Sequence, residues 1–142
     1  MRLLSILIIS SLILSISSVQ SFSYECSADF YDNKSMDEPK TNIAIYSTIY
    51  LQIECNNLPM GENILNINWV NPRNKVYAHD KNTFVVDSPN PWVFVFTFQL
   101  LEKGPFERSF TNSDFSRENY GTWTVNAYLG GEKILSDQFN LH

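Results

Sequence analysis

From residue 24 onwards, apolar and polar positions alternate with a period of two in a series of short segments. This period is typical of β-strands with one buried face, and clusters of Gly, Pro, Asn and Asp separate the segments as turns do. We predict strands over 24–31, 42–55, 64–70, 75–79, 83–86, 92–101, 121–129 and 132–141. No segment after residue 23 has a convincing helical period, so the pattern indicates an all-β fold.

Two of these segments depart from simple alternation. The segment 92–101 is apolar on both faces at its start and rich in β-branched and aromatic residues, which predicts a strand buried in the middle of the fold. The segment 132–141 returns from the Gly130-Gly131 turn towards 121–129. Its apolar face is interrupted by Asp137, so the predicted pairing is imperfect.

Seven to eight short strands, with turn signals between them, predict an immunoglobulin-like antiparallel β-sandwich. A small closed barrel is the alternative. The sequence shows no internal repeat, low-complexity tract or linker, which predicts one domain over 24–142.

Two hairpins resemble those of small exported bacterial immunoglobulin-like domains. Their W-x-x-P-x-x-K-x-Y hairpin is matched by Trp69, Pro72, Lys75 and Tyr77. Their final G-x-W-x-V hairpin is matched by Gly121, Trp123 and Val125. The resemblance implies a secreted or periplasmic immunoglobulin-like module and carries over no catalytic residue.

Residues 1–23 have the three parts of a secretory signal peptide: the basic Arg2, an apolar stretch and small residues at the cleavage point. Cleavage follows Ser21 or Ser23. The alternative is an uncleaved membrane anchor, because the uncharged run approaches the roughly 20 apolar residues that span a bilayer. Serines dilute the apolar stretch and favour cleavage. We therefore expect a secreted or periplasmic protein without stable membrane insertion after cleavage.

The two cysteines allow one intramolecular disulfide in an oxidising compartment, Cys26–Cys55. Closing a loop of this length contributes roughly 3–4 kcal/mol in the chain-entropy model. The alternative is two buried free thiols. The spacing differs from the antibody pattern, in which a cysteine near residue 55 would pair with one near Tyr128.

The charge of the chain argues against a nucleic-acid partner. Ten Lys and Arg residues stand against fifteen Asp and Glu residues, a net charge of −5, and the loss of Arg2 with the signal peptide brings it near −6. Nucleic-acid-binding domains normally carry a basic surface. Hydrophobic residues make up 44% of the chain, enough for a packed core.

The sequence offers little for catalysis. His79, followed by Asp80, is the one internal histidine, and no serine lies in the glycine-flanked turn of a hydrolase. There is also no glycine-rich phosphate loop. We predict no catalytic residue and no cofactor, so a secreted hydrolase is the least favoured function.

A polar segment holds several oxygen-bearing side chains that could bind calcium. These are Asp29, Asp32, Asn33, Asp37 and Glu38. Their spacing fits no EF-hand, so we predict a solvated acidic loop and no metal. The same segment contains the sequon Asn33-Lys34-Ser35, which has meaning only in a eukaryotic secretory pathway.

Aromatic side chains supply candidates for partner binding. Trp92 follows two prolines at a strand start, and the aperiodic region 102–120 combines Phe, Tyr and Arg, which are enriched in recognition surfaces. The candidate residues are Trp92, Phe106, Arg108, Phe110, Phe115, Arg117 and Tyr120. The alternative is that Trp92 lies in the core and the loop aromatics cap one end of the fold.

We expect a non-enzymatic binding module that recognises a protein or glycan partner. The alternative is a structural subunit of a surface assembly formed by strand exchange. The complete hairpin predicted at 121–141 argues against that alternative, because a donor-strand subunit would lack its final strand.

Overall fold

The computed structural model describes residues 24–101 and 118–142 of the chain. Within these residues the chain forms eight strands: β1 Glu25–Tyr31, β2 Asn42–Ile43, β3 Ile49–Asn56, β4 Gly61–Val70, β5 Val76–Val86, β6 Trp92–Phe98, β7 Gly121–Leu129 and β8 Glu132–Leu141. They make a three-stranded sheet in the order β1-β3-β6 and a five-stranded sheet in the order β2-β8-β7-β4-β5. The all-β prediction is confirmed.

The inward side chains of the two sheets meet in one core. Trp69 of β4 stacks on Phe98 of β6 with ring centroids 4.7 Å apart. Phe30 of β1 lies 4.8 Å from Phe139 of β8, again across the two sheets. The alternation seen in the sequence produces this arrangement, because side chains of a strand point to opposite faces at successive positions.

Trp69 lies at the centre of the core, with no exposed surface. Its indole Nε1–H donates a hydrogen bond to Asp80 Oδ2 at 2.7 Å. Asp80 is half-buried on β5 and points inwards beside the core. A buried indole N–H needs such an acceptor, since leaving a buried donor unpaired costs about 1–3 kcal/mol.

The β4–β5 hairpin contains a bulge next to this tryptophan. The pairing register shifts between Trp69 and Val70, which leaves Tyr77 of β5 as the extra residue. The Tyr77 ring contacts Phe98 at 5.9 Å and Trp123 at 5.4 Å between ring centroids. The bulge therefore places the 43% exposed Tyr77 ring of the edge strand against two rings of the core.

The predicted strands 75–79 and 83–86 are one continuous strand, β5. The polar residues between them, Asp80, Lys81 and Asn82, all pair with β4. β5 is an edge strand whose middle lies at the margin of the core: Asp80 is only half-buried and Asn82 is exposed, although both lie on the inward side. Polar side chains therefore do not interrupt the strand there. The prediction of two short strands was wrong for this reason.

The prediction that 92–101 forms a strand in the middle of the fold was also wrong. β6 is the edge strand of the three-stranded sheet and pairs only with β3 among the described strands. Its outward side chains Val93 and Val95 are 54% and 48% exposed. The alternate aromatic residues, Trp92, Phe94, Phe96 and Phe98, form the inward face. The segment is therefore apolar on its solvent-facing side as well.

The predicted strand 42–55 divides into β2 and β3. Tyr46 has a φ of 68°, in the left-handed region, and the chain turns there. β2 then pairs in parallel with the end of β8, so the sheet is not purely antiparallel as predicted. Asp137 interrupts the inward face of β8 as expected, since it lies opposite Val125 and is half-buried.

The disulfide Cys26–Cys55 is confirmed, which excludes two free thiols. The two residues are direct neighbours across β1 and β3, with Cα atoms 4.1 Å apart. The bond therefore staples two strands of one sheet. The predicted signal peptide, residues 1–23, lies outside the described residues. Among those residues, none forms a helix of the length and hydrophobicity needed to cross a bilayer.

Candidate partner-binding face

Two of the predicted partner-binding residues lie in the described part of the chain. Trp92 is half-buried at the start of β6, and its ring packs on Phe84 at 5.3 Å and near Phe94 at 6.2 Å. Tyr120 is 43% exposed immediately before β7. The other five, Phe106, Arg108, Phe110, Phe115 and Arg117, lie outside the described residues.

The residues before β7 lie against the 71–74 turn. Arg73 forms an ion pair with Glu118 at 3.1 Å, and both side chains are well exposed. Trp123 donates its Nε1–H to the backbone oxygen of the buried Asn119 at 2.8 Å. This buried hydrogen bond fixes the start of β7 and therefore the position of Tyr120 on the surface.

His79 and Asp80 point to opposite faces of β5. His79 is exposed, and its Nδ1 lies 2.8 Å from Asn68 Oδ1 on the outward side of the sheet. Asp80 accepts the Trp69 indole proton on the inward side. The two adjacent residues therefore do not form an acid–base pair.

The acidic segment is held by an internal ion pair. Lys40 Nζ donates a hydrogen bond to Asp32 Oδ2 at 2.7 Å. Asn33 Oδ1 accepts hydrogen bonds from Ser35 Oγ and from the Met36 backbone, which closes a turn over the sequon. Across the described ranges, no three His, Cys, Asp or Glu side chains come together as a metal site would require.

The Lys40 hydrogen bond lowers the pKa of the Asp32 carboxyl below its ordinary value. A carboxyl whose pKa falls on folding stabilises the fold above its unfolded pKa, and this contribution disappears as the pH falls through the folded pKa. We predict that Lys40→Met raises the pKa of Asp32, as followed by NMR titration of its carboxyl carbon. The exposed Lys34 serves as the control, and an equal rise in Lys34→Met would contradict the assignment.

The outward side of the central strands β4, β7 and β8 carries a set of uncharged polar side chains, interrupted by Val70 opposite Thr124. We call this surface the amide face. It comprises Asn66 and Asn68 of β4, Thr122, Thr124 and Asn126 of β7, and Ser136, Gln138 and Asn140 of β8. Asn126 lies at its centre, opposite Asn68 on one side and Ser136 on the other.

Side chains of the amide face form hydrogen bonds from strand to strand. Gln138 Nε2 donates to Thr124 Oγ1 at 3.3 Å, and Asn140 Nδ2 donates to Asn42 Oδ1 at 3.4 Å. His79 contacts Asn68 at the other end of the face. These cross-strand contacts orient amide groups on a rigid sheet while leaving further donors and acceptors free for a ligand.

One end of the amide face is concave. A shallow, open groove of about 210 Å³ lies between β2, β8 and the start of β7. It is lined by Thr41, Asn42, Thr122, Gln138, Phe139 and Asn140. Five of these six residues carry hydroxyl or amide groups, although most of the surface that the groove exposes is apolar.

Charged groups border the amide face and do not occupy its centre. At one end, the exposed Lys81 of β5 lies directly opposite Asn66, and Lys133 Nζ lies 5.8 Å from the centroid of the Tyr128 ring. Asp137, although on β8, points inwards, and Glu62 lies at the far end of β4. The centre of the amide face around Asn126 therefore carries no charged side chain.

The opposite side of the molecule has a different character. The outward side chains Glu25, Asp29 and Glu54 are exposed on the three-stranded sheet, and no Lys or Arg lies on its strands. We call this surface the acidic face. Because acidic groups concentrate there, the two faces suit different ligands, and the acidic one disfavours anionic partners.

Sequence reasoning did not identify the amide face. The sequence indicates the outward positions of 64–70 and 121–129 only as the polar half of an alternating pattern. The available signal was that these positions are Asn and Thr. Neither of the predicted strands 64–70 and 121–129 contains an acidic residue. Only the sheet order shows that β4 lies beside the β7–β8 hairpin, so that these positions form one surface.

The sequence matches no protein-family model and no curated protein. Among solved structures, an alkylpurine DNA glycosylase from Pseudomonas fluorescens is similar over 84% of this chain and 30% of its own, with 10% identity and a TM-score of 0.55. The CARDB domain of a Pyrococcus furiosus protein is similar over 84% of this chain and 89% of its own, with 7% identity and a TM-score of 0.45. A β-glucosidase from Listeria innocua is similar over 83% and 16%, with 8% identity and a TM-score of 0.46.

The likeness to the glycosylase is one of fold alone. This chain corresponds to less than a third of that protein. A shared fold at this identity carries no activity with it.

Proposed function

We propose that this chain is an exported, non-enzymatic binding module with an immunoglobulin-like β-sandwich, and that its amide face binds a glycan. A protein partner on the same face is the alternative. The observation that carries the proposal is the uncharged, hydrogen-bonding centre of the amide face with its groove.

The strand order supports the immunoglobulin-like assignment. Immunoglobulin-like sandwiches consist of two facing sheets, each with three to five strands that are mostly antiparallel. Here β4, β7 and β8 form the centre of one sheet, and β1, β3 and β6 form the other. The hairpins at Trp69–Tyr77 and Gly121–Val125, which resemble exported bacterial domains, both lie in the five-stranded sheet.

A glycan fits the chemistry of the amide face better than a charged ligand does. Each Asn or Gln side chain both donates and accepts hydrogen bonds, as sugar hydroxyls do. Removing water from an amide costs less than removing it from a charged group. The half-buried Tyr128, with the Lys133 ammonium group over its ring, lies at one end of this uncharged surface.

The Cys26–Cys55 disulfide supports export. Disulfides persist in secreted and periplasmic proteins and are rare in the cytosol. This agrees with the signal peptide predicted for residues 1–23, which precedes β1 directly.

We predict that the double variant Asn68→Ala with Asn126→Ala binds an oligosaccharide at least about tenfold more weakly than the unaltered chain. Each lost hydrogen bond contributes about 0.5–1.5 kcal/mol, and about 1.4 kcal/mol corresponds to a tenfold change. The ligand is first selected on an array of neutral oligosaccharides, and its affinity is then measured by calorimetry.

Gln52→Ala is the matched control, because Gln52 carries the same amide group on the outward side of the three-stranded sheet. It should leave the affinity unchanged. Failure of every oligosaccharide on the array to bind would overturn the glycan proposal. Capture of a protein that the double variant releases would then favour the protein alternative.

A further inference from the structure

The four sheet edges formed by the described strands differ in how they are protected. Unpaired backbone groups on an edge strand attract other strands, and proteins usually guard them with charges, bulges or very short strands. β1 carries the exposed Glu25 and Asp29, β2 has two residues, and β5 carries Lys81 and the bulge at Tyr77. Three of the four edges thus have a recognised form of protection.

β6 has none of these features within its seven residues. Its sequence from Trp92 to Phe98 contains no charge, no proline and no glycine, and its register with β3 is regular. Val93 and Val95 point outwards and are about half exposed. An edge strand of this composition is suited to pairing with another strand.

We infer that β6 pairs antiparallel with β6 of a second copy, forming a symmetric dimer with a continuous six-stranded sheet. A two-fold axis at Val95, the middle residue of the strand, pairs all seven residues of each copy. Val95 then faces its own counterpart, and Val93 faces Thr97 of the second copy. These are β-branched residues, which stabilise cross-strand contacts.

The inward side of β6 is also self-complementary about Val95. Phe94 would lie opposite Phe96 of the second copy, and Trp92 opposite Phe98. Trp92 and Phe96 are only half-buried in the single chain, so pairing covers apolar surface that the fold leaves exposed. β6 contains no charged residue, so no like charges meet when two copies pair. An acidic or basic strand of another protein would find no opposite charge on β6.

The dimer would place the two amide faces on one side. In a continuous antiparallel sheet, the two copies of β6 keep their inward side chains on the same face. The two-fold axis that relates them is therefore perpendicular to the sheet. Both five-stranded sheets therefore present their outward side in the same direction. A long glycan with repeated units could then bind both copies and gain avidity. This consequence depends on the proposed function, whereas the pairing itself does not.

Analytical ultracentrifugation of the purified chain over a wide concentration range tests the pairing. We expect a concentration-dependent dimer that Val95→Lys reduces to a monomer, because two lysines would face each other at the axis. Val85→Lys is the matched control: Val85 is a similarly exposed valine on the edge strand of the other sheet and should leave the dimer intact. Circular dichroism checks that both variants fold.

A cysteine at the axis gives a second readout. Val95→Cys should form an intermolecular disulfide under mild oxidation, and Val85→Cys should not. A chain that stays monomeric at every concentration, or a dimer unchanged by Val95→Lys, would overturn the pairing. Open-ended polymers would also overturn it, because symmetric pairing closes at two copies. Glycan binding by monomeric Val95→Lys separates this result from the fate of the glycan proposal.

Discussion

Trp69→Ala should lower the free energy of unfolding by about 3–5 kcal/mol, the usual cost of removing a fully buried aromatic side chain. Trp69 joins the two sheets through its stack on Phe98 and lies edge-on to Phe139 at 6.2 Å. The variant also leaves Asp80 without the indole proton that it accepts. Chemical denaturation followed by circular dichroism measures the loss.

Trp92→Ala provides the comparison, since it removes the same side chain from a half-buried position at the start of β6. We expect a clearly smaller loss, because part of the ring already contacts water. Equal losses in the two variants would contradict the assignment of Trp69 as the centre of the core.

Replacing both cysteines, Cys26→Ala with Cys55→Ala, should lower the free energy of unfolding by about 3–4 kcal/mol. The bond closes a loop with a sequence separation of 29, and its loss restores the conformational freedom of that loop in the unfolded chain. The native state changes little, because β1 and β3 stay paired over seven residues. Thermal and urea unfolding at neutral pH measure the effect.

Reduction of the unaltered chain is the control for the double variant. The reduced chain should approach the stability of the variant and return to the original value on reoxidation. A double variant as stable as the oxidised chain would show that the bond contributes nothing to folding.

The regular strands were predictable because their buried faces alternate strictly. In β3 and β7, the buried positions are apolar and the outward ones are polar apart from Tyr50 and Tyr128, which indicates the class of fold. The location of β6 was not predictable, because an apolar run occurs in central strands and equally in an unprotected edge. The continuity of β5 was not predictable either, because its middle residues are polar. They lie in an edge strand, where backbone pairing with β4 continues without burial of the side chains.

The Cys26–Cys55 bond followed from counting, since two cysteines permit one intramolecular pair. The amide face did not follow, because it joins β4 to the β7–β8 hairpin, which is distant from β4 in sequence. β4 lies beside β7 only in the folded sheet, so Asn68 and Asn126 meet across 58 positions of the chain. Sequence alone favoured the aromatic loop residues Phe106 and Tyr120, whose types are enriched in interfaces.

The most direct test of the account is an NMR titration of the chain with a neutral oligosaccharide selected on the array. The side-chain amide signals of Asn68, Asn126, Gln138 and Asn140 should shift progressively, while that of Gln52 on the acidic face stays in place. Such a result would locate the glycan on the amide face. Shifts confined to Gln52 and its neighbours, or no shifts on either face, would contradict the proposed function.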